Sequence, residues 1–333
     1  MPDAFAVPVR ELLDPQVLAL NALAASAGWP PADPLALPLA EARAAAERHH
    51  AFLNGRAPVP VVVQDVEAAG PGGPLRLRLI RPPGEASAHL PVLIYFHGGG
   101  FALNSIYTHD RLLRLLARHG RVAVCAVAYS LAPERRFPFQ HEEALSALRW
   151  VVRHGPSHGL DRERLAVGGD SAGANLALGL ALASRGEPGP PVSFGLLFYG
   201  MFAHDFDTAS HRLYGAGGFG LTTERMRWYW RQYLGEHTPA ADAWAAPLLA
   251  DLRGLPPLYL AVAGLDCLRD DSLRLARRLE EAKVPHRVAL YEDLPHAFAG
   301  MTRFVRRAEV AVIQAASAVG GHLRGQPLAL ANG

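Results

Sequence analysis

The sequence predicts an α/β fold: a mostly parallel, eight-stranded sheet with helices on both faces. Three observations predict it. The 333 residues, 50% of them hydrophobic, are enough for one large core. From Val92 onward, short runs rich in β-branched and aromatic residues alternate with helical patterns, as parallel strands joined by crossover helices do. One run, Leu165–Gly168, breaks at glycines and resumes as an alanine- and leucine-rich helix, with Ser171 at the break.

In chain order the first elements are helical, Val9–Ala27 and Leu39–Asn54, separated by the proline-rich Trp29-Pro30-Pro31-Ala32-Asp33-Pro34. Val59–Val66 and Leu75–Ile80 flank Gly70-Pro71-Gly72-Gly73 and read as an antiparallel hairpin. The strands that follow are Val92–Phe96, Val122–Tyr129, Leu165–Gly168, Phe194–Tyr199, Leu258–Ala263 and Arg287–Tyr291. Helical patterns at Asp110–His119, His141–Arg153 and Asp271–Ala282 lie between them, so this part of the sheet is parallel and covered on both faces. Met201–His237 breaks the alternation. It is long for a crossover and rich in rings, and it reads as a cap over the carboxyl edge of the sheet, or equally as core packing of one helix, Thr223–Leu234. The resulting division is N-terminal cap helices over residues 1–55, a core over 56–200 and 238–323, and a second cap segment over 201–237.

Composition excludes several function classes. Lys and Arg number 33 against 31 Asp and Glu, and no basic stripe points to nucleic acid. Cys125 and Cys267 are too few for a disulfide framework and lack zinc-ligand spacing, which suits a reduced, cytoplasmic setting and no metal. The start, Met1–Arg10, has no basic n-region, and no run reaches the roughly 18 apolar residues of a membrane span.

The chemistry begins at Gly169-Asp170-Ser171-Ala172-Gly173, a G-x-S-x-G. Small residues flank a serine in this way where a sharp strand-to-helix turn leaves no room for side chains and pushes the hydroxyl out. The helix that follows aims its positive end at the same point. A serine needs a base, and the base an acid; the order to look for is Ser, Asp or Glu, His. Asp266 lies just past the strand Leu258–Ala263, and His296 past the last strand. Both are at carboxyl ends, where open α/β sheets build their sites. Asp270 and Asp271 compete with Asp266 but open the next helix, where carboxylates favour the dipole. His286 stands at the wrong end of its strand. Asp170 should turn away from its neighbour Ser171 and support the site indirectly.

A further element is His97-Gly98-Gly99-Gly100-Phe101, directly after a strand. Its glycines can present free N–H groups to an oxyanion, together with that of Ala172. No lysine follows as in a phosphate-binding loop, so nucleotide binding is disfavoured. His97 reads as a brace for the loop.

These motifs, with Tyr129-Ser130-Leu131-Ala132-Pro133-Glu134, Asp266-Cys267-Leu268-Arg269-Asp270 and Pro295-His296-Ala297-Phe298, resemble the bacterial hormone-sensitive-lipase-like esterases of the α/β-hydrolase superfamily. The resemblance covers most of the chain. It implies a serine carboxylesterase acting on short- to medium-chain acyl esters, without cofactor. Ser171, Asp266 and His296 would be the catalytic residues and Gly99, Gly100 and Ala172 the oxyanion donors. Cys267 stands where the family usually has proline, Ala297 where it has glycine after the histidine, Ser130 where it has arginine, and Ala174 where a further glycine is common. Phe101, Phe202, Phe219 and Trp228 are the rings expected to bind substrate. The partner is then a small-molecule ester, and a homodimer is left open. Two other readings use the same residues: an amidase or peptidase, and a non-catalytic binder on the same scaffold.

Overall fold

The computed structural model describes residues 9–55, 59–84, 89–236 and 242–328. The expected cap and core boundaries at 56 and 238, and the first eight residues of the N-terminal segment, lie outside that range. The single helix expected over Val9–Ala27 is two, α1 (Val9–Leu12) and α2 (Pro15–Ser26). Pro15 has no N–H to lose at a first helical position, and Asp14 caps the new start by accepting the Gln16 N–H at 2.7 Å. Helix α3 (Leu39–Asn54) has its expected bounds.

The hairpin is β1 (Val62–Gly70) and β2 (Gly73–Arg81), closed at the Gly70–Gly73 pair. The chain continues as β3 (Leu90–Phe96), α4 (Asp110–Gly120), β4 (Ala123–Val127), α5 (Phe139–His154), β5 (Leu160–Asp170) and α6 (Ala172–Ala183). Then come β6 (Val192–Phe198), α7 (Ala209–Tyr214), α8 (Thr223–Leu234), β7 (Leu258–Leu265), α9 (Arg269–Glu281), β8 (His286–Pro295) and α10 (Arg306–His322). The eight strands form one sheet in the order β1-β2-β4-β3-β5-β6-β7-β8. Only the pairs made by β2 are antiparallel; β4 through β8 run parallel.

Alternation along each strand divides the core in two. In β3, Val92, Ile94 and Phe96 face one side with α5, α6 and α9, while Leu93 and Tyr95 face the other with α4 and α10. Helix α6 is buried along almost its whole length, so its alanines and leucines need no polar face. No described helix is long and apolar enough to cross a membrane.

Candidate active site

Ser171 follows the last residue of β5 and precedes the first of α6, with φ 54° and ψ −119°. The two glycines around it are required by contact: a Cβ on Gly169 would come within 2.2 Å of the Gly173 carbonyl oxygen, and one on Gly173 within 2.0 Å of that of Phe96. The serine N–H is tied to the Phe198 carbonyl at 2.9 Å. A left-handed φ on a non-glycine residue costs on the order of 1–2 kcal/mol, and here the surrounding sheet and helix hold it.

Asp266 and His296 meet because of how β7 and β8 end. From Ala263 paired with Tyr291, the next pair is Leu265 with Pro295, so β8 carries an irregularity there. Gly264 admits it, since a Cβ on that residue would lie 2.4 Å from the backbone of Glu292. The residues after that final pair are Asp266 and His296, which therefore leave the sheet side by side. The strand expected to end at Tyr291 runs on to Pro295. His296 Nδ1 lies 2.7 Å from an Asp266 carboxylate oxygen, and His296 Nε2 lies 2.9 Å from the Ser171 hydroxyl. The other Asp266 oxygen accepts the Leu268 N–H at 3.0 Å.

The glycine loop sits beside them. The N–H groups of Gly99, Gly100 and Ala172 bond to no protein acceptor among the described residues. Gly99 and Gly100 have φ 123° and 59°, and a Cβ on Gly100 would strike the ring of Tyr229 at 2.0 Å. Asp170 holds the loop: it accepts the Gly98 N–H and the Tyr95 hydroxyl, each at 3.0 Å, and pairs with His109 at 3.2 Å. Burial alone would raise its pKa, but His109 and the Tyr95 hydroxyl hold it below the usual carboxylate range. The Tyr129 hydroxyl donates to the His97 carbonyl at 2.6 Å, and the His97 ring stacks on Tyr129 at 4.3 Å. Burial and the neighbouring His109 push His97 down to about 3, so it stays neutral.

Asp270 and Asp271 have other occupations. Asp271 is buried and accepts the N–H groups of Phe202 and Ala203 at 2.7 and 3.0 Å; Asp270 accepts that of Ser210 at 3.0 Å. Together they tie the segment after β6 to the start of α9. Burial pushes Asp271 up to about 7, against the lowering effect of those two N–H donors.

Above Ser171 and His296 lies a cavity of about 220 Å³. Leu13, between α1 and α2, Val17 of α2, and Ala46 and Leu53 of α3 line one side; Phe219, Met226 and Tyr229 line another. Of the four rings expected to bind substrate, Phe219 lines it and three lie elsewhere. Phe101 is fully buried and stacked on Tyr233 at 3.7 Å; Phe202 is core, folded back over Gly200. Trp228 is half-buried against Tyr229, one position round α8 from the face that carries Met226 and Tyr229. Sequence reasoning passed over Arg225, His109, His49 and His50, which also line the cavity. The N-terminal helices are expected as a cap, but the sequence carries no signal that singles out these polar side chains as the ones facing the cavity.

A family model described as the alpha/beta hydrolase fold matches residues 93–300. The chain is 40% identical over 243 residues to Esterase LipI of Mycobacterium tuberculosis, covering 72% of this chain and 75% of that one. It is 33% identical over 293 residues to the ethyl acetate hydrolase of Pseudomonas putida, covering 86% and 92%. Among solved structures, an ester hydrolase from the metagenome of Lake Arreo, complexed with a derivative of bipyridine phosphonate, matches with a TM-score of 0.86 at 37% identity, covering 94% and 99%. The hyperthermophilic esterase of Pyrobaculum calidifontis matches with a TM-score of 0.82 at 33% identity, covering 86% and 94%.

Proposed function

The chain belongs to the hormone-sensitive-lipase-like esterases of the α/β-hydrolase fold and is a carboxylic ester hydrolase; from that premise we propose that it works through a serine acyl-enzyme on short- to medium-chain acyl esters. The observation that carries this is the continuous line from the Ser171 hydroxyl through both nitrogens of His296 to the Asp266 carboxylate, at 2.9 and 2.7 Å.

In this mechanism the Ser171 oxygen attacks the ester carbonyl as His296 Nε2 takes its proton. Asp266, accepting from Nδ1, fixes the tautomer and stabilises the imidazolium. The carbonyl oxygen, now an oxyanion, accepts from the N–H groups of Gly99, Gly100 and Ala172. Collapse expels the alcohol, to which His296 returns the proton. Water then attacks the acyl-serine by the same route and releases the acid. The N-terminal helices and the segment over residues 201–237 act as the cap that closes the site to water, and the core over 56–200 and 238–323 carries the chemistry.

The test is Ser171→Ala assayed on a p-nitrophenyl ester, where kcat falls by several orders of magnitude. An unchanged rate overturns the assignment. A fluorophosphonate labels the wild type at Ser171 and leaves the variant unlabelled.

A further inference from the structure

The cavity wall contains a polar group that the proposed mechanism does not use. His50 lines the cavity, and neither of its ring nitrogens bonds to a protein partner among the described residues. Its ring is held in place. On one face it stacks at 5.7 Å and 21° on His109, which is itself fixed by the Thr108 hydroxyl at 2.9 Å and by Asp170 at 3.2 Å. His49 packs edge-on at 5.6 Å, with its Nδ1 bonded to the Trp29 carbonyl at 2.8 Å. Burial, with His109 and His49 close by, lowers His50 to about 3, so at neutral pH it is an uncharged imidazole with one donor and one acceptor.

The walls around it are largely apolar, with Leu13, Val17, Leu53, Phe219 and Met226 among the lining residues. His50 is half-buried in this wall, and a neutral imidazole with no protein partner there can exchange water for a hydrogen bond to a ligand atom that enters the cavity. We infer that the cavity selects esters bearing a hydroxyl or ketone oxygen on the group that enters it, and that His50 binds that oxygen. This deepens the proposed function and rests on the Ser171 cavity being the substrate site. At His50 itself a charged substrate group of either sign would meet an uncharged ring; Arg225, which also lines the cavity, is paired with Asp33 at 3.2 Å, and Asp170 with His109. A neutral oxygen that can accept or donate is the chemistry an uncharged imidazole recognises.

The experiment compares matched ester pairs: ethyl butyrate with ethyl 3-hydroxybutyrate, and butyl acetate with 4-hydroxybutyl acetate. In the wild type, kcat/KM favours the hydroxylated member of at least one pair by about threefold to tenfold, the usual worth of one net hydrogen bond. His50→Phe abolishes that ratio, and His50→Gln, which keeps a donor and an acceptor, restores part of it. The ratio is internal to each variant, so a partial loss of folded protein does not disturb it. Hydrolysis of both members without preference in the wild type, or a preference that survives in His50→Phe, overturns the inference alone. Absence of hydrolysis of every member by the wild type overturns the site reading along with it.

Discussion

At the scale of single residues, two positions carry more than their chemistry suggests. Asp170 receives three donors: the Tyr95 hydroxyl, the Gly98 N–H and His109. An asparagine in its place offers one oxygen and directs an NH2 group at a former donor, so at least one buried donor loses its partner. Asp170→Asn should cost about 1–3 kcal/mol of stability. Because Gly98 leads directly into Gly99 and Gly100, kcat should also fall, by about tenfold to a hundredfold. Urea unfolding and a short-chain ester assay on one preparation check both; a variant destabilised with kcat intact would separate Asp170 from the loop. Ala297 is the second position. It follows His296 with φ 63°, a left-handed conformation that disfavours any Cβ. Ala297→Gly should therefore raise stability by up to about 1 kcal/mol, the relief of strain being partly offset by the greater freedom of glycine in the unfolded chain. A thermal midpoint that fails to rise would show that the surrounding packing already accommodates the alanine.

At the scale of elements, the tie between α9 and the segment after β6 makes a pH prediction. Asp271 is raised to about 7 in the folded protein, far above its ordinary value near 3.8. Between those limits the folded state holds a proton that the unfolded state has lost, so this group's contribution is full below about pH 4 and is lost as pH rises through about 7. Asp271→Asn, whose side-chain oxygen can still accept from Phe202 and Ala203, should flatten that decline. The difference in slope between variant and wild type should reach up to about 1.4 kcal/mol per pH unit, the value for one proton, and parallel slopes from pH 4 to 7 would contradict it. The same elements show what was legible in advance. The β–turn–helix at Ser171 could be read because a tight turn demands small residues at fixed offsets, and Gly169 and Gly173 are forced by backbone contact. The ends of β7 and β8 could be read for Asp266 and His296, although the irregularity that sets them side by side left no pattern beyond Gly264. The rings of the segment after β6 could not be sorted. Phe202 is drawn inward by the Asp271 bond to its N–H, and Trp228 is turned away by one helical position. Aromatic content alone does not distinguish these outcomes from the lining position of Phe219.

At the scale of the whole molecule, the cavity is built from parts far apart in sequence: the sheet's carboxyl edge, helices α2 and α3, and residues 218–229. The N-terminal part is firmly docked, with the Asp14 N–H on the Asp293 carbonyl at 3.0 Å and Arg43 paired to Glu134 at 2.7 Å. Arg225, beside the cavity, pairs with Asp33 at 3.2 Å and so joins the two covering segments. A space of about 220 Å³ walled in this way should suit a short acyl group. Each methylene that finds room gains about 0.8 kcal/mol, but each that must displace a packed side chain costs typically 1–3 kcal/mol. Rates should therefore peak at roughly two to eight acyl carbons and fall beyond them. A kcat/KM still rising at palmitoyl would refute this limit on chain length. Deleting residues 1–54 tests the same geometry from the other side. It removes Leu13, Val17, Ala46 and Leu53 from the wall while leaving Ser171, Asp266 and His296 on the sheet edge. Provided circular dichroism shows the core still folded, the shortened chain should lose rate on acetyl esters, as water enters, and shift its optimum toward longer acyl groups. A folded truncation with the full-length profile would mean that these helices cover the cavity without shaping what it accepts.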